Sequence, residues 1–118
     1  MKTINVIDVV GNPCLLAPDK GAQLAAEIRK ALRKTSRVEV DFSGYEFLSS
    51  SFLNQAFGQL CLDLDWDNKA FFRKVKIAGL QQDDSEELEL AIDNAQTRRA
   101  LVKKGISPQE YFSARMPA

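Results

Sequence analysis

The chain contains 118 residues, of which 45% are hydrophobic and 27% charged, and its 16 basic and 16 acidic side chains give a formal net charge of zero. This length and composition are typical of one globular domain with a buried core, so we expect a single domain over residues 1–118. The balanced charge argues against binding to nucleic acid or to an anionic membrane, and no apolar run approaches the roughly 20 residues that cross a bilayer.

The cysteines and the first residues of the chain indicate its compartment. Cys14 and Cys61 are far apart and each stands among apolar residues, which is typical of buried thiols rather than of a disulfide. The first residues lack the apolar zone and the cleavage site of a secretory signal. We therefore expect a cytoplasmic protein.

The first third of the chain predicts two strands and a helix. Residues 3–10 are rich in β-branched side chains and predict a strand that is apolar on both faces. A Gly-Asn-Pro turn follows, and residues 14–16 predict a short second strand. Pro18 and Asp19 favour the start of a helix that continues to about Thr35, with Asp19 as its cap.

The middle of the chain predicts a strand, a turn and a helix. Val38, Val40 and Phe42 alternate with acidic residues, as in a strand with one apolar face, and Ser43 and Gly44 then favour a turn. After a serine triplet, apolar residues recur at every third or fourth position. This spacing predicts a helix whose buried face comprises Phe52, Leu53, Ala56, Phe57, Leu60 and Leu64.

The next stretch contains aspartates and aromatic residues that allow two interpretations. Residues 63–67 carry aspartates at alternate positions, as at the start of a calcium-binding loop, but Asn68 and Lys74 stand where glycine and glutamate are needed, so we expect no metal site. Trp66, Phe71 and Phe72 lie in a polar connection. They either cover the edge of the core or form an exposed contact patch.

The last part of the chain predicts a third main strand and a long helix. Residues 74–79 alternate as in a strand, and a polar, acidic loop over residues 81–87 leads into a helix capped by Asp83, Asp84 or Ser85. The buried stripe of this helix is expected to comprise Leu88, Ile92, Ala95 and Val102. Gly105 is placed to end the helix, and residues 106–118 are expected to form a short extra helix and a frayed tail. The elements together predict an α/β domain with a mixed sheet of about four strands and packed helices.

The serine triplet, Ser49, Ser50 and Ser51, stands where the helix of the middle segment begins. One serine is needed as the helix cap, because its side-chain oxygen accepts a hydrogen bond from a free backbone N–H. The other two have no evident structural duty. A phosphate on either would lie beside free N–H groups at the positive end of the helix dipole, so the position also suits phosphorylation.

The segment from Phe42 to Leu60 resembles the core of STAS domains, which occur in sulphate transporters and anti-sigma-factor antagonists, and especially the STAS-like domains of unassigned function. The resemblance is carried by Asp-Phe at residues 41–42, Phe-Leu at 47–48, Ser-Ser-Phe at 50–52 and Gly-Gln-Leu at 58–60. In the antagonists the comparable loop reads Asp-Ser-Ser-Gly, and a partner kinase phosphorylates the second serine. The resemblance implies that Ser51 is the phosphoacceptor and Ser50 its neighbour, with Ser49 replacing the acidic residue and Phe52 the glycine.

No catalytic or cofactor-binding motif is present in the sequence. Histidine is absent, and there is no Cys-x-x-Cys pair, phosphate-binding glycine loop, dinucleotide motif or Gly-x-Ser-x-Gly elbow. We therefore expect neither an enzyme nor a bound cofactor. The STAS resemblance implies a prokaryotic regulatory module that docks on an ATP-binding, kinase-like protein through Ser49, Ser50, Ser51 and Phe52. The alternative is a domain that binds a nucleotide or small anion at the helix start, and the sequence does not indicate the oligomeric state.

Overall fold

The computed structural model describes residues 1–105, and the extra helix and tail expected for residues 106–118 lie outside the described residues. Three parallel strands form its main sheet: β1 (Lys2–Asn5), β3 (Val38–Asp41) and β5 (Val75–Ala78), in the order β1-β3-β5. Ile4 and Ile77 both pair with the central Val40. The α/β class predicted from the sequence is confirmed.

Two further strands, β2 (Cys14–Leu15) and β4 (Phe47–Leu48), form a separate parallel pair. The described strands thus lie in two parallel sheets of three and two strands, whereas the sequence predicted one mixed sheet of about four. The parallel direction follows from the connections, because paired strands are joined here by segments that contain helices and bring the chain back to the same end.

The predicted strand over residues 3–10 is wrong in its second half. Strand β1 ends at Asn5, and Val6–Val10 form a short helix, α1. The Asn5 side chain caps this helix by accepting a hydrogen bond from the N–H of Asp8 at 3.2 Å, and Gly11 ends it with a φ of 76°. Val6 and Val10 are four residues apart and both are buried, so one helical face explains part of the apolar pattern that suggested a two-sided strand.

The helix predicted after Pro18 is α2 (Pro18–Leu32). Its N-cap is Ala17, and Asp19 lies in the first turn instead of capping it, because Pro18 occupies the start of the helix. The inward face of α2 comprises Leu24, Ile28 and Ala31, which are buried, and Leu32, which packs against the core.

The helix after the serines runs from Ser50 to Asp63 in three continuous parts: α3 (Ser50–Leu53), a π-helical turn (Asn54–Gly58) and α4 (Gln59–Asp63), together called the central helix. It packs between α2 and the last helix. Phe52, Phe57 and Leu60 are fully buried, which confirms their predicted place in the core. Leu64 is 39% exposed and lies just past the helix end, so its predicted burial is wrong.

The polar connection after the central helix contains a further helix, α5 (Asn68–Lys74), which the sequence reading missed. Asp67 caps it by accepting a hydrogen bond from the N–H of Ala70 at 2.7 Å. Phe71 is fully buried against the ring of Phe57, and Trp66 packs on the same cluster. Two of the three aromatic residues of this segment therefore cover the core, while Phe72 is 42% exposed.

The last described helix is α6 (Gln82–Lys103), and its N-cap is Gln81. The caps predicted at residues 83–85 therefore lie inside the first turn of the helix. Leu88, Ile92 and Ala95 are buried as predicted, but Val102 is 59% exposed. Leu101, one position earlier, is buried instead, so the buried face of α6 is shifted by one residue near the end of the helix. Gly105 follows the helix with a φ of 76°, as expected for a glycine that ends a helix. No helix within residues 1–105 is both long and apolar enough to cross a membrane.

Candidate functional site: the serine loop and its surroundings

The serine loop, Ser49–Ser51, follows β4 directly and leads into the central helix. Ser49 is the helix cap: its hydroxyl oxygen accepts a hydrogen bond from the N–H of Phe52 at 3.1 Å and donates its own proton to the carbonyl of Leu16 at 2.8 Å. The N–H of Ser49 donates to the carbonyl of Leu15 at 3.0 Å. Ser49 therefore has a structural role, which ties the start of the central helix to the segment around β2.

Ser50 and Ser51 are the first two residues of the central helix, and both are exposed. The first N–H groups of a helix have no partner within it, so these two side chains lie beside free donors at the positive end of the helix dipole. An anion attached here is compatible with the fold. Because Ser49 supplies the cap, a change at Ser50 or Ser51 leaves the capping hydrogen bond intact.

Phe52 does not belong to the exposed part of this site. Its side chain is fully buried, so it supports the loop from the core and makes no contact with a partner while the domain is folded. The sequence pattern already placed it on the apolar helical face, and burial of that face excludes it from the surface.

The exposed apolar side chains next to the serines are Leu16, at 51% exposure, and Phe47, at 62%. Phe47 pairs with Cys14 across the β2–β4 ladder, and Leu16 accepts the hydrogen bond from Ser49. Their neighbours Leu15 and Leu48 face the core, since successive residues of a strand point to opposite sides. Leu16, Phe47, Ser50 and Ser51 are called the serine-loop surface below.

The sequence reading missed Leu16 and Phe47, although a signal was present. Each belongs to a pair of adjacent apolar residues, Leu15-Leu16 and Phe47-Leu48, in a segment too short to be covered on both faces. A strand of two residues can bury only one member of such a pair against a single core. Which member is buried depends on tertiary packing.

The segment between β3 and β4 is held by hydrogen bonds of Asp41 and Tyr45. Asp41 accepts hydrogen bonds from the hydroxyl of Ser43 at 2.6 Å and from its N–H at 2.9 Å, which together lower the pKa of the Asp41 carboxyl. Tyr45 donates to Asp84 at 2.5 Å and accepts from the N–H of Gln81 at 3.0 Å. Desolvation, with the Asp84 carboxylate next in importance, raises the pKa of Tyr45. The chain that leads to Phe47 is thus fixed to the start of α6.

Residues 20–85 match a family described as a STAS-like domain of unknown function (DUF4325). The chain belongs to this family. The match runs from α2 to the first turn of α6 and includes the serine loop and the whole central helix. No curated protein and no solved structure gives a significant match.

Elsewhere in this STAS-like domain, two aspartates near the end of the central helix form ion pairs. Asp63 pairs with Arg29 at 2.6 Å, and Asp65 with Arg99 at 2.8 Å, which lowers the pKa of Asp65. Within residues 1–105 no cluster of three or more His, Cys, Asp or Glu is suited to hold a metal ion. Burial raises the pKa of the Cys61 thiol to about 12, so it is protonated at neutral pH and is a poor nucleophile.

Proposed function

We propose that this STAS-like domain is a non-catalytic regulatory module that binds a protein partner through the serine-loop surface. The observation that supports this most directly is the exposure of Leu16 and Phe47 beside two exposed hydroxyls. Apolar anchors surrounded by small polar groups are typical of the centre and rim of protein interfaces. An aromatic side chain that is more than half exposed is otherwise unfavourable to leave in water.

The partner we propose is an ATP-binding, kinase-like protein that phosphorylates Ser51, or Ser50 in its place. Both side chains are accessible, and neither supplies the cap of the central helix. Phosphorylation needs ATP on the same side of the membrane, so the proposal includes a cytoplasmic location. A phosphoserine adds about −1.5 to −2 charges, which the helix start stabilises.

The charge would act on binding rather than on folding. A phosphate at Ser51 would have to lose water when the partner covers the neighbouring Phe47, and an unpaired charge inside an apolar contact is costly. Ser51→Asp should therefore keep the melting temperature close to that of the parent and weaken partner binding. Ser51→Ala should bind normally and no longer respond to the kinase.

The partner-binding test compares exposed apolar residues on two sides of the domain. Leu16→Ser combined with Phe47→Ser should abolish recovery of the partner in affinity purification, measured by quantitative mass spectrometry. Val102→Ser is the control, because Val102 is an apolar residue exposed to a similar degree, at 59%, but lies on the last turns of α6. Partner recovery that is equal in both variants would contradict the proposed surface.

The modification test uses the identified partner with ATP and maps phosphate by mass spectrometry. Label on Ser51 or Ser50 that is lost in the corresponding alanine variants supports the switch, and calorimetric titration of parent, Ser51→Asp and Ser51→Ala then measures its effect. Label confined to other residues would refute it. The alternative function, nucleotide or anion binding at the helix start, predicts that ATP or inorganic phosphate raises the melting temperature and that Ser51→Asp removes this shift.

A further inference from the structure

Helix α2 and the central helix, which pack on each other, run in one direction. Gly21, near the start of α2, touches the backbone of Phe52 at the start of the central helix, while Arg29 pairs with Asp63 at its end. These two contacts place the beginnings of the two helices together and their ends together. Because α2 and the central helix are parallel, their N-termini lie at the same end of the domain.

Helix α6 follows the same direction. Tyr45, in the segment before the serine loop, bonds to Asp84 in the first turn of α6, and Asp65, just past the central helix, bonds to Arg99 near the end of α6. Helices α2 and α6 carry acidic residues in their first turns and basic residues in their last turns, as the helix dipole favours. With the helices parallel, these preferences add up to an acidic end and a basic end, although the formal net charge is zero.

At the acidic end, α6 presents a stripe of exposed side chains, here called the acidic stripe: Asp83, Glu86, Glu87 and Leu90. The spacing of three and four residues places them on one side of the helix. Within residues 1–105 none of the three carboxylates forms an ion pair. Leu90 is 53% exposed and follows the carboxylates one turn further along, so the stripe combines negative charge with one protruding apolar side chain.

At the basic end, two adjoining clefts of about 230 and about 290 Å³ share Leu32 and Leu64. Trp66 adds an aromatic wall, and Arg33 and Lys74 line the opening. These five residues are called the basic groove. Arg29, which also lines it, is already paired with Asp63, whereas Arg33 and Lys74 form no ion pair with any residue in the described part of the chain.

We propose that the acidic stripe of one copy docks in the basic groove of a second copy. The occupant is the chain itself, because it contains both a groove with unpaired cations and a protruding leucine beside unpaired carboxylates. Leu90 would contact Leu32 and Leu64, with Glu86 and Glu87 near Arg33 and Lys74. The two surfaces differ and lie at opposite ends, so the contact is heterologous and extends head to tail. This inference does not rest on the proposed function, which concerns the serine-loop surface.

The contact should be weak and dependent on salt. One exposed helical stripe and a shallow groove bury less area than a stable dimer needs, and interactions between exposed charges are screened within about 10 Å at 0.1 M salt. Sedimentation velocity at rising protein concentration should therefore show a mass that grows beyond one protomer at low salt and returns toward it at high salt. A single protomer at every concentration and salt would overturn the proposal.

Charge reversal tests which surfaces meet. Arg33→Glu destroys the groove and keeps the stripe, while Glu87→Lys does the opposite, and we expect each to weaken self-association about tenfold. An equimolar mixture of the two variants should associate more strongly than either variant alone, because the intact stripe of one fits the intact groove of the other and the two reversed charges also attract each other. Lys20→Glu, which changes the net charge as Arg33→Glu does but lies in the first turn of α2, is the control and should associate like the parent.

A second pair of variants, one in the stripe and one outside it, tests the apolar part of the contact. Leu90→Ser should weaken self-association, whereas Val102→Ser should not, since both residues are exposed on α6 and only Leu90 belongs to the stripe. Melting curves show whether each variant is folded, and Lys74→Glu and Glu86→Lys replace any charge variant that is not. Self-association that persists in both charge variants, or a mixture that associates no more strongly than either variant alone, would overturn the proposed contact.

Discussion

Gly21 lies on α2 in close contact with the central helix, and its substitution tests the packing of the fold. A Cβ atom built on Gly21 would lie less than 3.0 Å from the carbonyl oxygen of Phe52, 3.1 Å from the Cβ of Gln55 and 3.2 Å from the nitrogen of Ala56. Two of these three atoms are backbone and belong to the start of the central helix and its π-helical turn. They cannot rotate away, so Gly21→Ala requires the two helices to separate.

The magnitude follows from the opposing effects of the added methyl group. Overpacking of a tight contact lowers the free energy of unfolding by about 1–3 kcal/mol. Replacing glycine by alanine inside a helix raises it by up to about 1 kcal/mol, because alanine has the higher helix propensity. Gly58→Ala is the matched control, because Gly58 is also buried and helical but its added Cβ would meet nothing closer than 3.6 Å. The propensity gain is common to both variants, so their difference isolates the clash.

We expect Gly21→Ala to be about 1–3 kcal/mol less stable than Gly58→Ala. Urea denaturation followed by circular dichroism measures this difference, with equal slopes required for the comparison. The melting temperature of Gly21→Ala should fall below that of the parent, by roughly 4 °C for each kcal/mol lost. If Gly21→Ala were as stable as Gly58→Ala, α2 would not lie as close to the central helix as the structure has it.

Three further perturbations test the core, the buried thiol and the turn after β3. Phe57→Ala removes a fully buried ring that packs on Phe42 and Phe71 and should cost about 3–5 kcal/mol in urea unfolding; an unchanged midpoint would contradict its burial. Cys61 should react with a thiol reagent at pH 8 only as fast as the domain opens, and immediate labelling in the native protein would contradict its raised pKa. Because the pKa of Asp41 is lower in the folded than in the unfolded state, the Asp41 carboxylate stabilises the fold when the pH is above the unfolded-state pKa. This contribution is lost as the pH falls through the folded-state pKa. Ser43→Ala should therefore make stability less dependent on pH in the acid range, and identical pH profiles would refute the role of that hydrogen bond.

Patterns that depend on a single element were readable from the sequence. The alternation of Val38, Val40 and Phe42 gave the central strand, and the spacing of Phe52, Phe57 and Leu60 gave the buried face of the central helix. Each of these elements faces one core, so the period of its apolar residues is enough to define it. The same local information located the serine loop at the start of a helix.

Errors arose where a neighbouring element or a local cap decides the outcome. Residues 6–10 have the composition of a strand, but the capping side chain of Asn5 and the glycine at residue 11 favour one turn of helix. Val102 was expected on the buried stripe of α6, but the neighbouring Leu101 is the buried residue at that end of the helix. Within the site, the choice of Ser49 as the cap and the exposure of Phe47 depend on the β2–β4 pairing, which joins residues more than 30 positions apart.

The serine-loop surface and the acidic stripe lie at the same end of the domain. Tyr45 ties the segment before β4 to Asp84, so the serine loop and the acidic stripe both lie where the parallel helices begin. A phosphate on Ser51 would add negative charge to an end that is already acidic. The phosphate should weaken binding of a partner that covers Phe47. At low salt its longer-range field should leave the attraction to the basic groove of a second copy unchanged or strengthen it modestly. Ser51→Asp should thus separate the two contacts: lower affinity for the partner in calorimetry, with self-association in sedimentation equal to or above that of the parent. A loss of both would mean that the partner and the second copy share one surface around the serine loop.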